Sequence, residues 1–231
     1  IAPEMVTVDK IEQRLYHVGS QEKMGLLLWL LKNEKPESTL IFTNTKIAAE
    51  GVARRLEFNG FPAKHISGDL TQRKRLRLMS LFKTGKLPIL VATDVAARGL
   101  HIDDLAMVIN YDLPEFAENY VHRIGRTARA GKSGKAVSFV CEKFVFGLEE
   151  LEKYINKKIP ESAVEESMFE KDLSAHLPLR KLQLREAKNS ELHDQTLAGT
   201  HHSSEKRKKN THKRIKKDVE IDAELADILD L

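Results

Sequence analysis

Short apolar runs alternate with amphipathic segments from residue 11 to residue 157. Residues 11–18 alternate well enough for a strand. Residues 38–43, 63–67, 88–93, 106–110 and 136–141 are compact apolar runs bounded by turn residues, as strands buried on both faces are. Segments 21–32, 46–58, 72–82, 115–129 and 143–157 carry apolar side chains at helical spacing, with Ser20 placed to cap the first and Gly60 to end the second. The stripe of 46–58 is Ile47, Val52, Ala53 and Leu56. In 72–82, Leu76, Met79 and Phe82 are expected inward and Arg73, Lys74 and Arg77 in solvent.

Strands that alternate with helices need crossover connections, which predicts an α/β fold with a mostly parallel sheet flanked by helices. Ligands of such folds lie beyond the carboxyl ends of the strands. Turn-forming residues collect there: Asn44-Thr45, Ser67-Gly68-Asp69, Thr93-Asp94 and Tyr111-Asp112-Leu113-Pro114. Each alone is an ordinary turn. Four in succession mark that edge as a candidate site.

After Pro160 the pattern decays. Residues 1–160 read as one domain and 161–192 as a partly helical extension, with a helix near 179–188. Residues 193–217 form a basic low-complexity tail and 218–231 an acidic, amphipathic end. The net charge of +4 over 231 residues is too small to identify a partner, but its distribution is uneven. Residues 206–217 hold eight Lys or Arg and no acid; 218–231 hold six acids and no base. A single cysteine, Cys141, excludes an intrachain disulfide and favours the cytoplasm. It is expected to be a small buried side chain. The sequence has no apolar run of membrane-spanning length and no signal-peptide pattern at its start, so no membrane role is expected. His201 and His202 lack further ligands, and no metal site is expected in this chain.

The densest chemistry is H-R-I-G-R-T-A-R-A-G at 122–131. Arg123, Arg126 and Arg129 recur every three residues, so a helix would project them to one side as a clamp for phosphate. The glycines at 125 and 131, followed by Lys132-Ser133, imitate a phosphate-binding P-loop. Five residues separate them where that loop needs four, and the apolar run that follows reads as a strand rather than a helix.

In order, L-I-F-T-N-T (40–45), G-D-L-T-Q-R-K-R (68–75), V-A-T-D-V-A-A-R-G-L (91–100), N-Y-D-L-P (110–114) and H-R-I-G-R-T-A-R-A-G (122–131) resemble motifs IV, QxxR, V, Va and VI of the DEAD-box RNA helicases. The resemblance covers residues 1–160. A-A-R-G-L-H-I followed by N-Y-D-L-P narrows the likeness to a bacterial branch of that family. Since a P-loop, D-E-A-D and S-A-T are absent from the 231 residues, the resemblance implies the second RecA-like domain of a two-domain enzyme, starting near the interdomain linker.

The resemblance further implies that ATP binds between the two domains, the other one supplying the phosphate loop and the Mg²⁺ ligands. Arg126 and Arg129 would reach the γ-phosphate as arginine fingers, with His122 beside them as a catalytic candidate. His122 and Arg123 would couple the site to the facing domain, and Asp94 and Arg98 would hold motif V and the interdomain contacts. Asn44, Thr45, Gly68, Asp69, Gln72, Arg75, Thr93 and Gly99 would follow one RNA strand along its backbone, so that binding is largely independent of base sequence. Two positions depart from the family pattern. His101 stands where many members place an aspartate against the ribose, and Ala128 replaces a glycine, which a helical backbone would tolerate. The function implied is local, ATP-dependent RNA unwinding in RNA decay or remodelling, with an RNA-decay ribonuclease as a possible partner. The alternatives are the second domain of a DNA helicase or translocase, and a non-catalytic docking module for an RNA-decay partner. The chain alone is expected to be inactive.

Overall fold

The structure is a computed structural model that describes residues 11–100, 102–128 and 134–176. The helix expected near 179–188, both tail segments, His101 and Arg129 lie outside the described residues.

Six strands form one sheet in the order β1-β6-β5-β2-β4-β3, and every pairing is parallel. The strands are β1 (Ile11–His17), β2 (Thr39–Phe42), β3 (Ala63–Ile66), β4 (Ile89–Ala92), β5 (Met107–Asn110) and β6 (Gly134–Val140). All four residues of β2, β4 and β5 are buried, as their uninterrupted apolar sequences require of strands covered on both faces. The helices are α1 (Lys23–Glu34), α2 (Lys46–Phe58), α3 (Gln72–Lys83), α4 (Asp94–Ala97), α5 (Ala117–Ile124) and α6 (Phe146–Ile155). One face of the sheet packs Tyr16, Ile41, Ile109, Val137 and Phe139 with α1 and α2. The other packs Ile11, Leu15, Ala136 and Val140 with α5 and α6. Alternate β6 residues thus feed opposite cores, which is the period-two rule at work.

Several boundaries differ from the expected ones for local reasons. Helix α1 starts after Glu22, not at a Ser20 cap; its N-cap makes no side-chain hydrogen bond, and the Ser20 backbone amide instead donates to Glu142. Ile47 and Leu76 fall on helical stripes yet are 71% and 61% exposed, and Leu78 takes the inward place on α3 with Met79 and Phe82. Helix α5 stops at Ile124 rather than running to residue 129, and α4 is a four-residue helix where a turn was expected. Cys141 is free and buried.

The ordered body continues past residue 160. The Leu15 amide donates to the Pro160 carbonyl and the Ser162 amide to the Leu15 carbonyl, which adds a bridge beside β1. Met168, on a short 3-10 turn (Glu166–Met168), enters the α1 core, and Asp172 pairs with Arg55 and Asn59. No helix among the described residues is long and apolar enough to cross a membrane.

Candidate nucleotide and nucleic-acid site

Strand β2 sits between β5 and β4; from it the chain runs outward to β3, whereas from β5 it runs the opposite way to β6. A crevice opens where such directions diverge, at the carboxyl ends of the strands. The four predicted turn clusters all lie on that edge, after β2, β3, β4 and β5.

Arg123 occupies the centre of this edge and is 1% exposed. Its Nε and Nη2 donate to both carboxylate oxygens of Asp94, each at 2.7 Å. Nη2 also donates to Asn44 Oδ1 at 3.1 Å, and Nη1 to the Asp112 carbonyl at 2.7 Å and Asn110 Oδ1 at 3.3 Å. The guanidinium lies 5.0 Å from the centroid of the Phe42 ring. One planar fork thus ties the ends of β2, β4 and β5 to α5, a task that a lysine's three donors could not fill. Arg123 is therefore closed off from the surface, so any coupling to another domain runs through its partners.

Arg126 lies beyond the helix, so it does not share a helical face with Arg123 as expected. Glycine ends α5 at residue 125 and the chain then turns: the Arg126 and Thr127 amides donate to the Arg123 and Ile124 carbonyls at 3.1 Å, the Leu105 amide donates to the Arg126 carbonyl at 3.0 Å, and Thr127 bridges to Leu105. The Thr127 hydroxyl donates to the Leu105 carbonyl. Gly134 closes the far side, where a Cβ would fall 1.9 Å from Thr127 Oγ1 and 2.6 Å from the Ala128 nitrogen. Ala128 has φ 56°, so its backbone is left-handed, not helical as expected, which explains why a glycine suits this position.

Between the two buried anchors Arg123 and Thr127, the Arg126 side chain is 23% exposed and, among the described residues, makes only long contacts of 3.5 Å, to Asp103 Oδ1 and the Leu100 carbonyl. With Asp94, Arg98, Asn119 and His122 it lines a cleft of about 240 Å³. His122 and Arg98 are exposed at this cleft. Cationic and neutral donors dominate the lining, so the cleft suits an anionic phosphate. No group of His, Cys, Asp or Glu placed to hold a metal ion occurs among the described residues.

The other candidates lie along the same edge. Thr45, Thr71 and Thr93 cap α2, α3 and α4, accepting from the Ala48, Lys74 and Ala96 amides. Asn44 is spent inside: its side-chain amide donates to the Leu113 carbonyl at 2.8 Å and its backbone amide to Asp112 Oδ2 at 3.1 Å. Arg75 donates to the Ala96 carbonyl at 2.6 Å, which fixes α3 against α4. Gly68, Asp69, Gln72 and Gly99 are exposed, and Asp69 pairs with Lys46 at 2.8 Å. Gly99 has φ 73° with open space beside its Cα, so the backbone there is accessible from outside. Thr93 is buried as a cap.

Sequence reasoning missed Lys23. It opens α1 at 3% exposure, with Nζ 2.6 Å from Asp112 Oδ1 and 4.3 Å from the centroid of the Tyr111 ring. A lysine at the head of a leucine-rich helix looks like an ordinary solvated residue, and its partner is 89 positions away.

The sheet order, the tethered arginine segment and the capped edge define the C-terminal RecA-like domain of a helicase. Residues 22–131 match the helicase conserved C-terminal domain family. The chain is similar to E. coli DEAD-box protein SrmB, solved bound to regulator of ribonuclease activity A, with 33% identity and a TM-score of 0.65 over 70% of this chain and 95% of that one. It belongs to the DEAD-box family. S. cerevisiae Dbp5, solved bound to RNA and ADP BeF3, has 32% identity and a TM-score of 0.64 over 77% of this chain and 46% of that one. Among curated proteins, the ATP-dependent RNA helicase RhlB of Xanthomonas axonopodis pv. citri (strain 306) is 51% identical over 160 residues, 69% of this chain and 28% of the relative. RhlB proteins of this kind lie in the bacterial branch to which the 96–102 and 110–114 segments point. The chain spans about 28–40% of the length of the curated relatives it matches.

Proposed function

We propose that this chain is the second half of an ATP-dependent RNA helicase, and that it supplies Arg126, with Arg129, as arginine fingers to an ATP·Mg²⁺ complex held mainly by a first RecA-like domain. The observation that carries this reading is Arg126 itself: a cation with only long contacts, held between buried anchors at the mouth of a cleft lined by Arg98 and His122. Phosphoryl transfer needs positive charge against the equatorial oxygens of the transferred group, and an arginine placed there is worth about 10³ to 10⁵ in rate. When bound, Mg²⁺ would neutralise the phosphates, with its ligands coming from the other domain.

RNA would run along the capped edge. Thr45, Gly68, Gln72 and Gly99 offer hydroxyl, amide and backbone groups that suit phosphate and 2′-OH rather than base edges, and the Asp69 carboxylate would accept from a 2′-OH. Asn44, Arg75 and Thr93 hold the loops that present those groups. Asp94 and Arg98 flank the cleft. Because one network joins this edge to the arginine segment, closing on RNA would also set Arg126, and strand separation would be local. Cytoplasmic RNA decay or remodelling fits such an enzyme, and the SrmB complex with a ribonuclease regulator makes an RNA-decay ribonuclease a reasonable partner class.

The test is ATP turnover with and without single-stranded RNA, for the full-length protein and for the 231 residues alone. Stimulated turnover only in the full-length protein is expected. Equal turnover by the isolated chain would refute the two-domain reading.

A further inference from the structure

Lys23 is a fully buried cation that none of the five motifs contains. Its ammonium meets one carboxylate, Asp112 Oδ1, at 2.6 Å, and two aromatic rings, Tyr111 and Phe144, with centroids at 4.3 and 5.6 Å. Asp112 has a second oxygen, and that one accepts the Asn44 backbone amide at 3.1 Å. Asn44 in turn accepts from Arg123 at 3.1 Å and immediately precedes Thr45, the cap of α2. A continuous path therefore leads from Lys23 through Asp112 and Asn44. It branches there to the RNA-facing loop and to the arginine segment.

We infer that Lys23 is a positioning residue that makes the arginine segment respond to RNA, by fixing the Asp112 carboxylate that holds the Asn44 amide. This inference rests on the helicase reading above. Among the described residues the ammonium is the side-chain cation set against Asp112, and that pairing and the Asn44 amide hold the carboxylate's rotamer. Without Lys23, Asp112 is a nearly buried anion with a single amide partner, and it relaxes by turning toward solvent. The Asn44 amide then loses its acceptor, and the backbone at 44–45 is tied to Arg123 only through the Asn44 side chain, which weakens the coupling between them. A lysine suits the task because its stem passes through an apolar shell while its compact head satisfies one oxygen and leaves the other for the backbone.

The test uses the full-length protein, its Lys23→Met variant and the Lys23→Met/Asp112→Asn double variant, which removes the unpaired charge. Thermal midpoint, RNA-stimulated kcat, KM for ATP and amide exchange of the 42–47 segment are measured for each. Lys23→Met is expected to lower RNA-stimulated kcat about tenfold, with KM for ATP within about twofold and faster exchange at 42–47. The double variant is expected to recover most of the midpoint but not kcat. Recovery of midpoint and kcat together would reduce Lys23 to a structural role and overturn the inference. A parent protein whose turnover RNA does not raise would sink the helicase reading and this inference with it. A stimulated parent with an unimpaired Lys23→Met variant would sink this inference alone.

Discussion

Replacing Arg123 with lysine keeps the charge and removes the fork. The guanidinium donates to five acceptors, namely both Asp94 oxygens, Asn44 Oδ1, Asn110 Oδ1 and the Asp112 carbonyl. An ammonium has three donors, so at least two of these acceptors lose their partner. Each buried acceptor left unpaired costs about 1–3 kcal/mol, which gives roughly 2–6 kcal/mol. The Asp94 side chain is 25% exposed and can take water in place of one lost donor, which favours the lower part of that range, about 2–4 kcal/mol. In a domain of this size each kcal/mol moves Tm by about 2–4 °C, so Arg123→Lys should lower Tm by about 5–15 °C. Calorimetric melting of the parent and variant chains at equal concentration reads this directly. A solvent-facing arginine would tolerate the change within about 0.5 kcal/mol. A shift below about 2 °C would therefore refute the tether and leave Arg123 free to couple the site directly to a facing domain, as the sequence implied.

Three further predictions concern the same scaffold. Gly134→Ala should lower the urea midpoint by an amount equivalent to about 1–3 kcal/mol, because its Cβ would meet Thr127 Oγ1 and the Ala128 backbone, neither of which can withdraw easily; an unshifted midpoint would rule out that close approach. Ala128→Gly should leave stability unchanged or slightly raised at φ 56°, whereas a helical residue there would lose about 1 kcal/mol, so the sign of the denaturation shift decides between the two backbones. Burial pushes the Asp172 carboxyl up, but hydrogen bonds from Ser174, Arg55 and Asn59 together hold it below its ordinary value of 3.8. The folded state then binds fewer protons than the unfolded one, so this stabilisation is complete above that ordinary value and is lost as pH falls through the lower folded one. Acid titration of stability should accordingly be shallower in Asp172→Asn than in the parent; parallel curves would remove Asp172 from the account.

Strands were legible because β2, β4 and β5 are uninterrupted apolar runs, and a parallel sheet buries such strands on both faces. The motif clusters were legible for a related reason, since each follows a strand and the topology gathers all carboxyl ends on one edge. Sequence spacing was a poor guide to the arginines. Three-residue repetition looks helical, but Gly125 ends α5, and the bridge of Thr127 to Leu105, with Gly134 packed close against it, takes the next residues out of the helix. Ile47 and Leu76 show the same weakness, for a helical stripe says which side chains share a face and not whether anything packs against it. Lys23 was invisible because its meaning lies in Asp112, which only the fold brings within 2.6 Å.

The central claim is that Arg126 acts on the transferred phosphate. Its most direct test is Arg126→Ala in the full-length protein, with RNA-stimulated kcat, RNA affinity and Tm measured on one preparation. Because Arg126 makes only contacts of 3.5 Å among the described residues, Tm and RNA affinity should hold while kcat falls by about 10³ to 10⁵. A kcat that falls less than about tenfold, with Tm and RNA affinity equally unmoved, would contradict the claim.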